Sequence, residues 1–200
     1  MGGALNDGFS CMIFEKGRGI RVVLNRDERI IQKTGYWEKY KAKVEVFFDE
    51  KERHRYQLNA TWDEELPNCL YIMLNPSTAD HIKPDPTLKK CIGFATRNKY
   101  GSMSIVNLYS YRATDPEDLW DSDELHHSEN EHFLKVAIHE ADRVIVAWGK
   151  HGARFDACKP VLAYLRECGK PAYCIGTNGD DTPKHPGRPS YRNPLVEYIW

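Results

Sequence analysis

The apolar run Tyr71-Ile72-Met73-Leu74 stops abruptly at Asn75-Pro76-Ser77, and Asp80 and Asp85 follow closely. Such a run marks a buried strand that delivers polar groups to its carboxyl end, where open α/β sheets bind ligands. Pro76 fixes the turn that presents Asn75 and Ser77. The Asn75 amide supplies an acceptor and two donors, suited to a nucleobase edge or to positioning an attacking water. Asp80 and Asp85 are candidate general bases, provided each reaches the attacked atom or its water. The same residues also read as local architecture: Asn-Pro-Ser as turn chemistry, Asp80 as a cap, and Asp85-Pro86 as an ordinary helix opening.

Three further polar sets follow apolar runs. Asn107 closes one run and precedes Ser110 and Arg112; Trp148-Gly149-Lys150-His151 closes the next; Gly176-Thr177-Asn178 closes the last and leads to His185-Pro186. Asn107 repeats the amide chemistry of Asn75. Arg112 could bind phosphate through a bidentate contact, or pair with Asp115 or Asp118. Gly149 lets backbone approach a ligand. Trp148 could stack on a base or simply fill the core. His185 could donate to a developing oxyanion. His126-His127 with His81 would be the raw material of a metal site, but no H-x-x-x-H helix accompanies them and we expect no metal and no cofactor.

These residues need elements to position them. Cys11–Phe14 and Ile20–Leu24 read as a hairpin around Gly17 and Gly19, and 43–48 with 53–62 as a second pair. Alternation of Tyr56, Leu58, Ala60 and Trp62 predicts one half-buried face. The stretch 27–40 fits a loop or a short helix. Beyond Pro67, strands are expected at 70–74, 103–108, 143–148 and 172–175. Helices are expected at 86–98, at 129–141 with Phe133, Val136 and Ala137 on one face, and at 152–168. Strands alternating with helices imply right-handed crossovers and a mostly parallel sheet, with all four polar ends on one edge. Four coincident polar ends point to a functional pocket.

Composition narrows the class. The charges nearly cancel, 28 Lys+Arg against 29 Asp+Glu, so bulk charge argues neither for nor against nucleic acid. No apolar run is long enough to span a membrane, and the start, with Asn6, Asp7 and Ser10, lacks the order of a signal peptide. Six cysteines form no C-x-x-C pair. Buried free thiols in a cytoplasmic protein are expected, with a cluster of Cys158, Cys168 and Cys174 as the lesser reading.

Leu74–Asp80, Asp85–Thr87, Cys91 with Phe94-Ala95, Val106–Thr114, Asn130 and Ala147–Gly152 together resemble the bacterial and phage family called domain of unknown function 1643, over roughly 55 to 191. That family in turn is similar to the uracil-DNA glycosylase superfamily. The resemblance implies a three-layer α/β/α sandwich with a mainly parallel central sheet over 53–200, and an N-terminal antiparallel β extension over 1–52. It implies an N-glycosidic hydrolase that recognises a nucleobase or nucleotide. Asn75 would position water, and Asp80 or Asp85 would serve as base or electrostatic partner of the sugar cation. His185 would stabilise the departing base. Ser77, Asn107, Trp148 and His151 would contact the base, while Arg112, Lys150 and Arg188 would hold phosphate of a nucleic acid or nucleotide partner. The chain departs from the pattern at His127-Ser128-Glu129-Asn130-Glu131, and Gly187-Arg188 lengthens the His185 loop. A non-catalytic nucleic-acid or nucleotide-binding module and a metal-dependent nuclease or phosphohydrolase using His81, Asp80 and Asp85 are the alternatives.

Overall fold

The computed structural model describes residues 12–14, 20–24, 29–115, 119–120, 122, 125 and 127–200, the first two segments and Arg29 by backbone alone. Cys11, the Gly17–Gly19 turn, the N-terminal Asn6, Asp7 and Ser10, Pro116, Asp118 and His126 lie outside the described residues. The strands are β1 (Met12–Phe14), β2 (Ile20–Leu24), β3 (Arg29–Trp37), β4 (Ala42–Asp49), β5 (Arg55–Thr61), β6 (Asn68–Met73), β7 (Ser102–Asn107), β8 (Arg143–Val146), β9 (Ala172–Cys174) and β10 (Val196–Glu197). The helices are α1 (Pro86–Arg97), α2 (Ser128–Glu140) and α3 (Lys159–Glu167).

All ten strands form one sheet in the order β1-β2-β3-β4-β5-β7-β6-β8-β9-β10. Only β7, β6, β8 and β9 run parallel; every other pairing is antiparallel. The sheet is therefore mixed and mostly antiparallel, not mainly parallel. The N-terminal hairpins cause the difference, because they continue the same sheet instead of standing apart from it. The βαβ crossovers through α1, α2 and α3 account for the parallel part. Their helices lie on opposite faces. Leu88, Cys91 and Phe94 of α1 pack with Val44, Val46, Leu58, Tyr71 and Ile105. Leu134 and Ile138 of α2 and Val161 and Leu165 of α3 pack with Leu70, Ile72, Val106 and Val144 on the other.

Four local expectations change. Within the ambiguous stretch 27–40, of which 27 and 28 lie outside the described residues, Arg29–Trp37 is strand: Ile30, Ile31, Thr34, Tyr36 and Trp37 are β-branched or aromatic, and Gly35 admits the His81 carbonyl, which would lie 2.1 Å from a Cβ there. The buried face of α2 is Asn130, Leu134, Ala137 and Ile138, while Val136 is exposed. The helix expected at 152–168 is broken, since Phe155 and Asp156 adopt left-handed φ of 53° and 58° after a 3-10 turn, and only Lys159–Glu167 is α-helical. Finally, β4 and β5 slip register between Phe47 and Phe48: Phe47 faces Gln57 but Phe48 faces Arg55, leaving Tyr56 as an extra residue. This bulge reverses the parity of β5. Tyr56 turns to the α2 side and stacks on Phe133 at 5.1 Å, breaking the expected Tyr56–Trp62 face. Arg55 joins Phe48 on the α1 side.

Among the described residues five cysteines are free, with Cys168 exposed. Burial pushes the Cys69 and Cys91 thiols up, so they stay neutral. No helix among these residues is long and apolar enough to cross a membrane.

Candidate functional site

The parallel strands β6, β7, β8 and β9 bring their carboxyl ends to one edge, and the loops that follow are laced together. Leu108 and Tyr109 donate backbone N–H to Met73 and Leu74, Ala113 to Pro76, and Ala147 to Ile72. Because β5 runs antiparallel to β7, its first residue, Arg55, reaches the same edge and donates its backbone N–H to the Ser110 carbonyl at 2.9 Å. The loop carrying His185 is held from outside. Lys90 donates to the Pro189 carbonyl at 3.2 Å, and the Tyr191 ring packs 5.0 Å from both Phe94 and the Arg97 guanidinium.

A cavity of about 320 Å³ opens at this edge, within the range of small-ligand sites. Met73, Leu74, Trp148 and Gly149 form its apolar wall; Asn75, Ser77, Thr87, Thr114 and Asn178 add uncharged polar groups. Its charged and titratable lining is Arg55, Asp85, Lys150, His151, His185 and Arg188. Three fixed cations therefore face one carboxylate.

Asn75 uses its whole donor capacity on the protein. Its Nδ2 donates to the Ala113 carbonyl at 2.8 Å and to the Pro76 carbonyl at 3.0 Å, which ties the two loops together. Its Oδ1 remains an acceptor for a bound molecule. Asp85 is the N-cap of α1, accepting from the Leu88 N–H at 2.8 Å through Oδ1, so both capping and cavity lining fall on this one side chain. His185 accepts from the Gly187 N–H through Nδ1 at 3.3 Å. That bond assigns the proton of the neutral ring to Nε2, which is then a donor. Burial lowers the His185 pKa from its usual 6.5, and Arg188 adds to the effect against Asp85, so the ring is neutral at pH 7. Trp148 is 2 % exposed and packs against Tyr198 and the chain at Gly152; it is a wall and a core residue at once.

Three of the expected site residues lie elsewhere. The Asp80 carboxylate caps the Ile82 and Lys83 N–H groups at 2.8 and 3.0 Å and is not in the cavity wall. Arg112 donates to the Glu52 carbonyl at 3.0 Å, lies 5.2 Å from the Phe48 ring, and lines a neighbouring hollow that shares Ser77, Ala113 and Thr114 with the main cavity. Asn107 is fully buried beside Met73, its side-chain amide without a partner and its carbonyl accepting from Asn130 Nδ2 at 3.1 Å. Among the described residues no three of His, Cys, Asp or Glu come together to hold a metal ion, so His81, Asp80 and Asp85 do not form such a group, nor do Cys158, Cys168 and Cys174.

The family model described as Protein of unknown function (DUF1643) matches residues 55–187. The chain belongs to the DUF1643 family. No curated protein and no solved structure matches it. Every residue lining the cavity, except Arg188, falls inside the DUF1643 segment, which begins at Arg55 itself.

Arg55 is the charged lining residue that the sequence does not announce. It is 1 % exposed. Its Nη1 donates to the Ala79 carbonyl at 2.9 Å, and its Nε has no partner. Burial pushes its pKa down to about 10, with Arg112 adding to this and Asp85 and Asp80 opposing it, so it stays charged at pH 7. In the sequence it looks like an ordinary charged residue at a strand start, and the bulge that turns it inward leaves no signal in the alternation. Thr87 and Thr114 were likewise not singled out.

Proposed function

We propose that the cavity binds a nucleobase or nucleotide and hydrolyses an N-glycosidic bond, in a fold distantly similar to that of uracil-DNA glycosylases. One observation carries this reading: Asn75 and Asp85 from one loop and His185, a hundred residues further on, line one cavity at the carboxyl edge of parallel strands. The Asn75 Oδ1 accepts from the attacking water. The Asp85 carboxylate, one oxygen engaged as helix cap, stabilises the cationic sugar and takes the proton from that water. The His185 Nε2–H donates to the departing base as negative charge builds on it. Trp148 and Met73 provide a surface for the base, with Ser77 and His151 at its edge. Asn107 is buried outside the cavity wall and becomes a reader of the base only if that wall rearranges.

The test is release of free base from nucleosides, nucleotides and modified DNA. Loss of release in Asn75→Ala, measured on folded protein, supports the assignment; unchanged release removes Asn75 from the chemistry. A second reading, nucleotide binding without turnover, is favoured by the capping duties of both carboxylates, Asp80 and Asp85. Saturable binding with no product would decide for it.

A further inference from the structure

We propose that Arg55 anchors the terminal phosphate of a mononucleotide, with the phosphate seated on the side of the cavity where Arg55 is buried. The inference rests on reading this cavity as a nucleotide site, and it names the class of ligand. A guanidinium carries five N–H donors and cannot shed its charge at neutral pH. Arg55 is buried, yet among the described residues its side chain makes a single hydrogen bond, to Ala79, and no carboxylate lies within ion-pair distance. Burying such a group without a partner is costly unless something else completes it. The side chain lines the cavity, so a ligand anion is in position to complete it.

Depth decides which anion. Lys150, His151 and Arg188 are exposed and mark the mouth, whereas Arg55 is buried and marks the interior. Phosphodiesters of a polymer pass along a mouth; only a phosphate at the end of a small ligand enters far enough to meet Arg55. The fork of a guanidinium also matches the oxygens of a phosphate monoester. Asp85, the sole carboxylate among the described lining residues, leaves this lining positive and receptive to that dianion.

Calorimetric titration of the whole protein with nucleoside monophosphates, the matched nucleosides, inorganic phosphate and an oligonucleotide lacking terminal phosphates tests this. One monophosphate is expected to bind at least about 10-fold tighter than its nucleoside, the effect of one or two charged hydrogen bonds. Arg55→Met should abolish that ratio and Arg55→Lys retain part of it, with melting curves reporting folding. The wild-type ratio decides even if a variant fails to fold. A nucleoside that binds as tightly as its monophosphate, an oligonucleotide that outcompetes it, persistence of the ratio in folded Arg55→Met, or no binding by any monophosphate overturns the proposal. Base release is scored separately. Phosphate preference without release leaves Arg55 as anchor and removes the hydrolase, while equal release from nucleosides and monophosphates keeps the hydrolase and removes the anchor.

Discussion

A Cβ placed on Gly149 would lie 3.4 Å from the Cβ of His185. The turn after β8 and the histidine loop thus touch across the cavity wall. That distance is ordinary contact, so crowding is not what demands glycine. The backbone is: φ of 72° with ψ of −168° belongs to a region that side-chain-bearing residues avoid. Gly149→Ala should cost about 1–3 kcal/mol, read as a lower denaturation midpoint. An unchanged midpoint would contradict the account.

Asn75 separates structure from chemistry. Asn75→Ala deletes two hydrogen bonds and should destabilise by about 1–3 kcal/mol. Asn75→Asp turns the same position into an acceptor facing the carbonyls of Pro76 and Ala113. It should therefore be the less stable of the two in urea at neutral pH. The reverse order would mean that Nδ2 does not hold these loops.

Asp85 can be divided in the same way. Asparagine caps a helix about as well as aspartate, so Asp85→Asn should change stability by less than about 1 kcal/mol, the residual reflecting the helix dipole. It should nevertheless lower base release strongly. Asp85→Ala loses both roles and about 1 kcal/mol more. Full release by folded Asp85→Asn would remove the carboxylate from the mechanism.

His185 has a folded-state pKa below its usual 6.5. The unfolded chain therefore takes up this proton first as the pH falls. Its contribution to stability is fully present above about 6.5 and is lost on descending from there toward the folded value. Denaturation midpoints across pH 5–8 should fall less steeply in His185→Gln than in the parent. Parallel curves would assign the acid sensitivity to other groups.

Much of the cavity edge was legible because each parallel strand is an apolar run with an abrupt polar end, as at Met73–Asn75 and Val146–Lys150. Burial on both faces enforces that pattern. What escaped was set by partners remote in sequence. Nothing near Arg55 announces that Phe48 will face it, because a bulge is a property of the pair β4–β5. Asn107 has the right position in the sequence yet points into protein beside Met73. The charged side chains and the glycine of β3 obscure a strand whose regularity comes from β2 and β4.

The pairing of β4 with β5 also ties the cavity to residues that precede the family segment. A chain trimmed to that segment would leave β5 as an open border of the sheet, its amides and carbonyls facing water or another molecule. Light scattering should find such a fragment self-associating, and the guanidinium at its first position would have lost the scaffold that points it inward. Residues 42–49 are in this sense part of what shapes the cavity, though none of them lines it.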